Sequence, residues 1–189
     1  VEKLYQDGRI DGIISVGGIQ NTVMAANAMQ KLPIGFPKVM ATTVASGTRK
    51  FELVVGDKDI MVMPAICDFT GMNIVTRQVI ANACAACVGM VKSAGHVLKK
   101  EDKPVVAVTL MGVTNNGAVA AVEELERAGL EVIGFHATGV GGATMEKMAE
   151  EGLVDGILDL TLHELTSEYF GGGFSYGEAA NTRLVKSVD

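Results

Sequence analysis

A chain of 189 residues with 48% apolar and 20% charged residues is long enough to bury a core and too apolar to remain disordered. Its 16 Lys and Arg against 22 Asp and Glu leave a net charge of −6. With no basic cluster, that balance excludes nucleic acid as an expected partner, because phosphate backbones require basic stripes. Three cysteines, Cys67, Cys84 and Cys87, are too few for a disulfide framework and point to a reducing, cytoplasmic setting. The polar opening stretch shows no signal peptide. The apolar run between Arg77 and Lys92 is shorter than the roughly 20 residues a bilayer requires, so no membrane is expected.

Taken in order, the chain reads as repeated strand–turn–helix units. A first strand spans Asp11 to Val16 and ends at Gly17-Gly18, with a helix from Asn21 to Lys31. Lys38 to Val44 reads as the second strand, with Ala45-Ser46-Gly47-Thr48 as its turn, and Asp59 to Pro64 as the third. Near-continuous apolar runs of this kind fit strands covered on both faces. Met72 to Val97 reads as one long helix rich in small residues, and Cys84 and Cys87 within it read as packing residues.

The charged connector Lys99 to Lys103 marks a restart. Strands follow at Val105 to Leu110, Val132 to Phe135 and Val154 to Leu160. Helices are expected from Ala118 to Arg127, Ala143 to Glu151 and Leu162 to Tyr169, with Gly129 and Gly152 closing the first two. Strands alternating with helices imply parallel pairing and right-handed crossovers. The expected fold is α/β, with two Rossmann-like parallel-sheet subdomains built as three α/β/α layers. Residues 1–100 form the C-terminal part of the first, and residues 101–189 the N-terminal part of the second.

In open parallel sheets, ligands bind beyond the carboxyl ends of the strands. The turn Gly17-Gly18-Ile19-Gln20-Asn21-Thr22 brings backbone amides to a helix start, which suits a phosphate, and Thr22 adds a hydroxyl. It also reads as a tight turn N-capped by Asn21 or Thr22. Ser46 and Gly47 lie in a hydroxyl-rich turn after the second strand, and Thr114 in the turn after the fourth. His136-Ala137-Thr138-Gly139-Val140-Gly141-Gly142 is the sharpest signal, an anion cradle entering a helix. His136 stands at the strand end, where it either binds phosphate, transfers a proton or is structural. Asp68 and Asp159 end strands and suit a ribose, Mg²⁺ or a cap. His163 and Glu164 are adjacent and make a poor metal pair, since helical neighbours point about 100° apart. No protein-held metal site is expected.

Several strings together resemble one family: Ala45-Ser46-Gly47, Arg77 to Ala83, Gly112-Val113-Thr114, His136 to Gly142 with Met145-Glu146, and Asp159-Leu160-Thr161. They are similar to the ATP-binding domain family typified by the tomato mosaic virus resistance protein, over roughly residues 5 to 177. The resemblance implies two Rossmann-like subdomains with ATP and Mg²⁺ in the cleft between them. It implies nucleotide contacts from Gly17, Gly18, Thr22, Ser46, Gly47, Thr114, Thr138, Gly139, Gly141 and Gly142, and His136 joins this expected nucleotide site from its place at the strand end. The family's first loop is Gly-Ser-Gly-Gly-Thr-like, whereas this chain carries Gly18-Ile19-Gln20-Asn21-Thr22. Family members also begin with a further strand unit and continue past residue 189, so the chain is expected to be an internal fragment. The expected partner is a nucleotide, with homo-oligomerisation. Two other readings stand beside it: a metabolic enzyme acting on a phosphorylated or carboxylated molecule with His136 as acid–base, and a non-catalytic interaction or inhibitor module.

Overall fold

The computed structural model describes residues 1–45, 52–93, 98 and 100–173. The chain divides into two compact units, Val1–Lys99 and Lys100–Asp189.

The first unit runs α1 (Glu2–Gln6), β1 (Ile13–Gly17), α2 (Ile19–Met29), β2 (Lys38–Thr42), α3 (Glu52–Val55), β3 (Met61–Pro64) and α4 (Ile74–Lys92). Its three strands are all parallel in the order β1-β2-β3, as the alternation of strands and helices implies. Every residue of the central strand β2 is buried. Its side chains alternate between two cores, because successive residues of a strand face opposite ways. Met40 packs with Ala26 and Met29 of α2, Val54 of α3, and Ile60. Val39 and Ala41 pack with Val79, Ala83 and Cys87 of α4. The sheet is therefore covered on both faces, and each fully buried Met or Val adds about 1.5–3 kcal/mol.

Lys38 is the polar exception at the start of β2. Its ammonium is fully buried, donates to the carbonyls of Pro33 and Phe36 at 2.8 Å, and pairs with Asp59 at 2.7 Å. Burial pushes its pKa down, and the Asp59 carboxylate pulls the other way.

Helix α4 begins later than its apolar pattern suggests. The Asn73 side chain accepts from the amides of Val75 and Thr76 while Thr76 returns a bond to the Asn73 amide, a capping box that fixes the start at Ile74. At 19 residues, α4 reaches the length and composition of a membrane-spanning helix, longer than the apolar run inside it suggests. Val79, Ala83 and Cys87 dock one face of it on β2. Cys87 thus packs in the core, and burial pushes its thiol pKa up, with Cys84 adding to the effect. Cys84 is exposed, so its assignment as a packing residue is corrected: the two cysteines are three apart, and only one turns inward.

The second unit runs β4 (Val105–Leu110), α5 (Asn115–Arg127), β5 (Glu131–His136), α6 (Val140–Glu150), β6 (Gly156–Leu158) and α7 (His163–Phe170). A single 3-10 turn, Gly112–Thr114, precedes α5. The order is β5-β4-β6, again all parallel. Gly129, at φ +87°, ends α5 in the left-handed region that favours glycine. Right-handed crossovers send the connections from β4 and β5 over opposite faces, so the chain reverses direction beside β4 and opens a crevice at the ends of β4 and β6.

Asp155 ties the amino end of this sheet together. Its carboxylate accepts from the Val105 amide at 2.7 Å and from Lys100, and its own amide donates to the Val105 carbonyl at 2.8 Å. The Lys100 bond, then the Val105 bond, hold its carboxyl below the ordinary value of 3.8. A carboxyl whose folded pKa is depressed contributes stability that is complete above its unfolded pKa and is lost as pH falls through the folded one. We therefore expect unfolding stability in urea to fall below pH 4 with a steeper slope in the native chain than in Asp155→Asn. The difference should shrink in high salt, because the pair is half exposed.

Candidate functional site

At the carboxyl end of the first sheet, Gly17, Thr42 and Pro64 stand in one row across the three strands. The turn after β1 is tightened by Asn21, whose side-chain amide donates to the Val16 carbonyl at 3.0 Å. A Cβ at Gly17 would lie 2.5 Å from that amide group, so glycine is required there. Thr22 is buried, and its hydroxyl donates to the Gly18 carbonyl at 2.8 Å and meets the Thr42 hydroxyl at 2.5 Å. The structure gives Thr22 an internal partner on each side.

Gly18 caps the 11-residue α2 in an extended conformation and, as a glycine, has no side chain to bond its first amides. A helix start leaves its first amides without intrahelical partners and carries partial positive charge. A Cβ at Gly18 would meet only the Thr43 hydroxyl, at 3.6 Å, an ordinary contact. Thr43 in turn lines a cavity of about 420 Å³ with Pro64, Ala65, Ile66, Cys67 and Asp68. Ile66 sits at φ +67°, and the Cys67 amide donates to the Ala65 carbonyl at 2.7 Å across it. This three-residue turn holds a β-branched residue in a conformation costing of the order of 1–3 kcal/mol. Ser46 and Gly47 lie outside the described residues.

The glycine turn of the second unit is arranged differently. Gly139 takes φ +96° and Gly141 and Gly142 fall inside the first turn of α6. The amides of Gly139 and Gly142 both donate to one carboxylate oxygen of Glu164, the latter at 3.1 Å. Glu164 is only 8% exposed. The cradle is therefore filled by the protein's own anion. Next to it, His163 Nδ1 bonds the Ala137 carbonyl at 3.0 Å; a carbonyl only accepts, so that nitrogen carries the proton. The adjacency that makes His163 and Glu164 a poor metal pair lets them grip two parts of the same turn. Glu164 stands 25 residues from Gly139, and its only sequence signal is an acid in the first turn of a helix that follows a strand.

This packing also explains the glycines. A Cβ at Gly141 would lie 2.0 Å from the His136 carbonyl oxygen, and one at Gly142 would lie 1.8 Å from Glu164 Oε2. A side chain at either position disturbs the fold before it meets any ligand. His136 is exposed at the end of β5, and Thr138 is half-buried, its amide donating to the His136 carbonyl at 2.8 Å.

In the crevice between β4 and β6, hydroxyls and one acid form a closed set. Thr109 donates to Asp159 at 2.6 Å and accepts from the Thr161 amide at 3.1 Å. Thr161 meets Thr114, hydroxyl to hydroxyl, at 3.0 Å. Asp159 also accepts from the Leu162 amide at 3.1 Å, in the turn just before α7. Among the described residues, no three His, Cys, Asp or Glu side chains are grouped to hold a metal.

Two units, each a three-stranded parallel sheet flanked by helices, define a Rossmann-like α/β fold. The chain belongs to an uncharacterised protein family, UPF0261. Its N-terminal domain model matches residues 1–96, and its C-terminal domain model matches residues 103–188. A UPF0261 protein of Clostridium tetani is 43% identical over the whole of this chain and 47% of its own length. The ToMV susceptible protein tm-1(GCR26) of Solanum lycopersicum is 38% identical over 91% of this chain and 23% of its own. The ToMV resistance protein Tm-1(GCR237) of the same plant is 39% identical over 85% and 22%. The chain thus spans about half, or less, of the length of these relatives.

The Gly142–Glu164 contact makes a direct prediction. Gly142→Ala is expected to lower unfolding stability in the native background and to cost far less in Glu164→Ala, where the colliding carboxylate is gone. Glu164→Gln alone should cost about 1 kcal/mol, the scale of a lost helix cap. Urea unfolding of the four chains measures the cycle; additive costs would contradict it.

Proposed function

We propose that this chain binds a nucleotide, with the phosphates on the first amides of α2 and the remainder of the ligand in the cavity at the ends of β2 and β3. The open start of α2 beside Thr43 carries this reading. The amides of a helix start, which lack intrahelical partners, and the helix dipole favour an anion there by the same physics that holds Glu164 on α6. The cavity falls within the range of small-molecule sites. ATP is the nucleotide that the sequence resemblance names. Mg²⁺, which the same resemblance names, would be carried on the phosphate chain.

Under this reading Gly17 and Gly18 shape the phosphate turn, and Gly139, Gly141 and Gly142 serve the Glu164 contact. Gly18 supplies the cleaner test, because its backbone is extended and a side chain there meets no close atom. Gly18→Val is expected to weaken ATP·Mg²⁺ binding at least tenfold by standing over the α2 amides, with an unchanged melting temperature. Calorimetry on the native chain should give a Kd of micromolar order, about −8 kcal/mol. Native affinity in Gly18→Val would exclude the α2 turn as the phosphate site, and no heat with any nucleotide would overturn the function.

A further inference from the structure

The hydroxyls at the ends of β4 and β6 decide what kind of group that crevice accepts. A threonine hydroxyl has one proton to give and lone pairs to offer. Thr109 gives its proton to Asp159 Oδ1 at 2.6 Å. Thr161 Oγ1 lies 3.1 Å from the Thr109 carbonyl, Thr114 Oγ1 lies 3.2 Å from the Met111 carbonyl, and the two hydroxyls meet at 3.0 Å. All three protons are therefore committed inside the protein. The amides leading into α5 are committed too: Thr114 donates to the Met111 carbonyl at 2.9 Å, and Asn115 donates to the Gly112 carbonyl. What the set has left to offer is lone pairs.

Asp159 is the charged member. Its Oδ1 accepts from Thr109 and from the Leu162 amide, two bonds that fix the carboxylate. Among the described residues, no donor reaches Oδ2. An ionised carboxylate accepts through both oxygens, so Oδ2 is a spare acceptor held in place by the bonds at Oδ1. Acceptors without donors repel phosphate and carboxylate groups and receive cationic donors. The full charge on Asp159 outweighs the roughly half charge at the start of α5. Leu160 and Leu162, on either side of Thr161, are both exposed. Leu160 reaches over α5, where a Cβ on Gly117 would lie 4.0 Å from its Cδ2. Leu162 takes φ +50°, a left-handed conformation that favours glycine and that clusters at ligand sites.

We propose that the crevice at the ends of β4 and β6 binds a small molecule carrying a protonated primary amine on an apolar body. Such an amine brings one positive charge and three N–H donors to a site that offers one carboxylate and lone pairs. The ammonium donates to Asp159 Oδ2 and to lone pairs of the threonine set, and the apolar body lies along Leu160 and Leu162. The site belongs to the second unit alone and does not depend on nucleotide binding by the first.

The test follows amide resonances of the isotopically labelled whole chain during titration with hexylammonium, 1-hexanol, hexanoate and hexyltrimethylammonium, which share one apolar chain. Hexylammonium should give saturable shifts at residues 159–162 with a Kd of about millimolar order. Hexanol lacks the charge and hexyltrimethylammonium lacks the N–H donors, so each should bind there at least tenfold more weakly. Hexanoate should not bind. Asp159→Asn keeps an oxygen for Thr109 and the Leu162 amide, and it should weaken hexylammonium at least tenfold, to the level of 1-hexanol. Should that variant fail to fold, the comparison of primary with quaternary ammonium on the native chain decides the matter. Equal affinity of those two ions overturns the proposal, as does hexanoate binding at residues 159–162 or native affinity in a folded Asp159→Asn. Hexylammonium shifts that scatter over the acidic surface without saturation, or that leave residues 159–162 unmoved, overturn it too.

Discussion

Two strands, β2 and β4, are central in their sheets, and β2 is buried along its whole length. Between successive strands the chain passes through helices that cover the faces of each sheet. Such crossovers join parallel strands, and all-parallel sheets are the kind covered on both faces. Parallel strands deliver every strand-to-helix turn to the same edge of the sheet. The alternation of Met40 against Val39 and Ala41 therefore does more than fill two cores: it gathers Gly18, Thr43 and Asp68 at one edge of the first unit.

Given that edge, electrostatics decides which helix start is open. Helix α6 has its dipole and amides answered by Glu164, a carboxylate from α7 that is almost wholly buried. Helix α2 is capped by Gly18, which has no side chain to give such an answer. The difference reverses the weight that composition gives the two turns. His136 to Gly142 holds more glycine and reads as the stronger cradle, yet its glycines are explained by contacts with the His136 carbonyl and Glu164. The plainer turn at Gly18, with Ile19 and Gln20 where the resembled family has small residues, leaves Ile19, Gln20 and Asn21 exposed.

Much of the fold is legible in the sequence because β–α alternation is written in local patterns. Val105–Leu110 falls where its apolar run places it, and Gly129 ends α5 as its position suggests. Boundaries move where a side chain overrides the pattern, as the Asn73–Thr76 capping box does at the start of α4. Helices α1 and α3 are too short, at five and four residues, to show a periodicity. The order β5-β4-β6 is set by packing between distant segments, which no local pattern encodes. The candidate site divides in the same way. Glycines and hydroxyls at strand ends are visible as motifs, and Thr22, Thr114 and Thr138 are found at those turns. What each atom bonds to is not visible: the Thr22–Thr42 pair, the Thr114–Thr161 pair and the Glu164 carboxylate join residues 20 or more apart.

The two sets of backbone amides, at the starts of α2 and α6, can be watched separately. Titrating isotopically labelled protein with ATP·Mg²⁺ and following amide resonances compares Gly18–Asn21 with Gly139–Gly142 in one experiment. The account predicts large, saturable shifts at residues 18–21, with residues 139–142 unchanged because Glu164 keeps their amides. Shifts confined to residues 139–142 would mean that ligand displaces Glu164, and would contradict it.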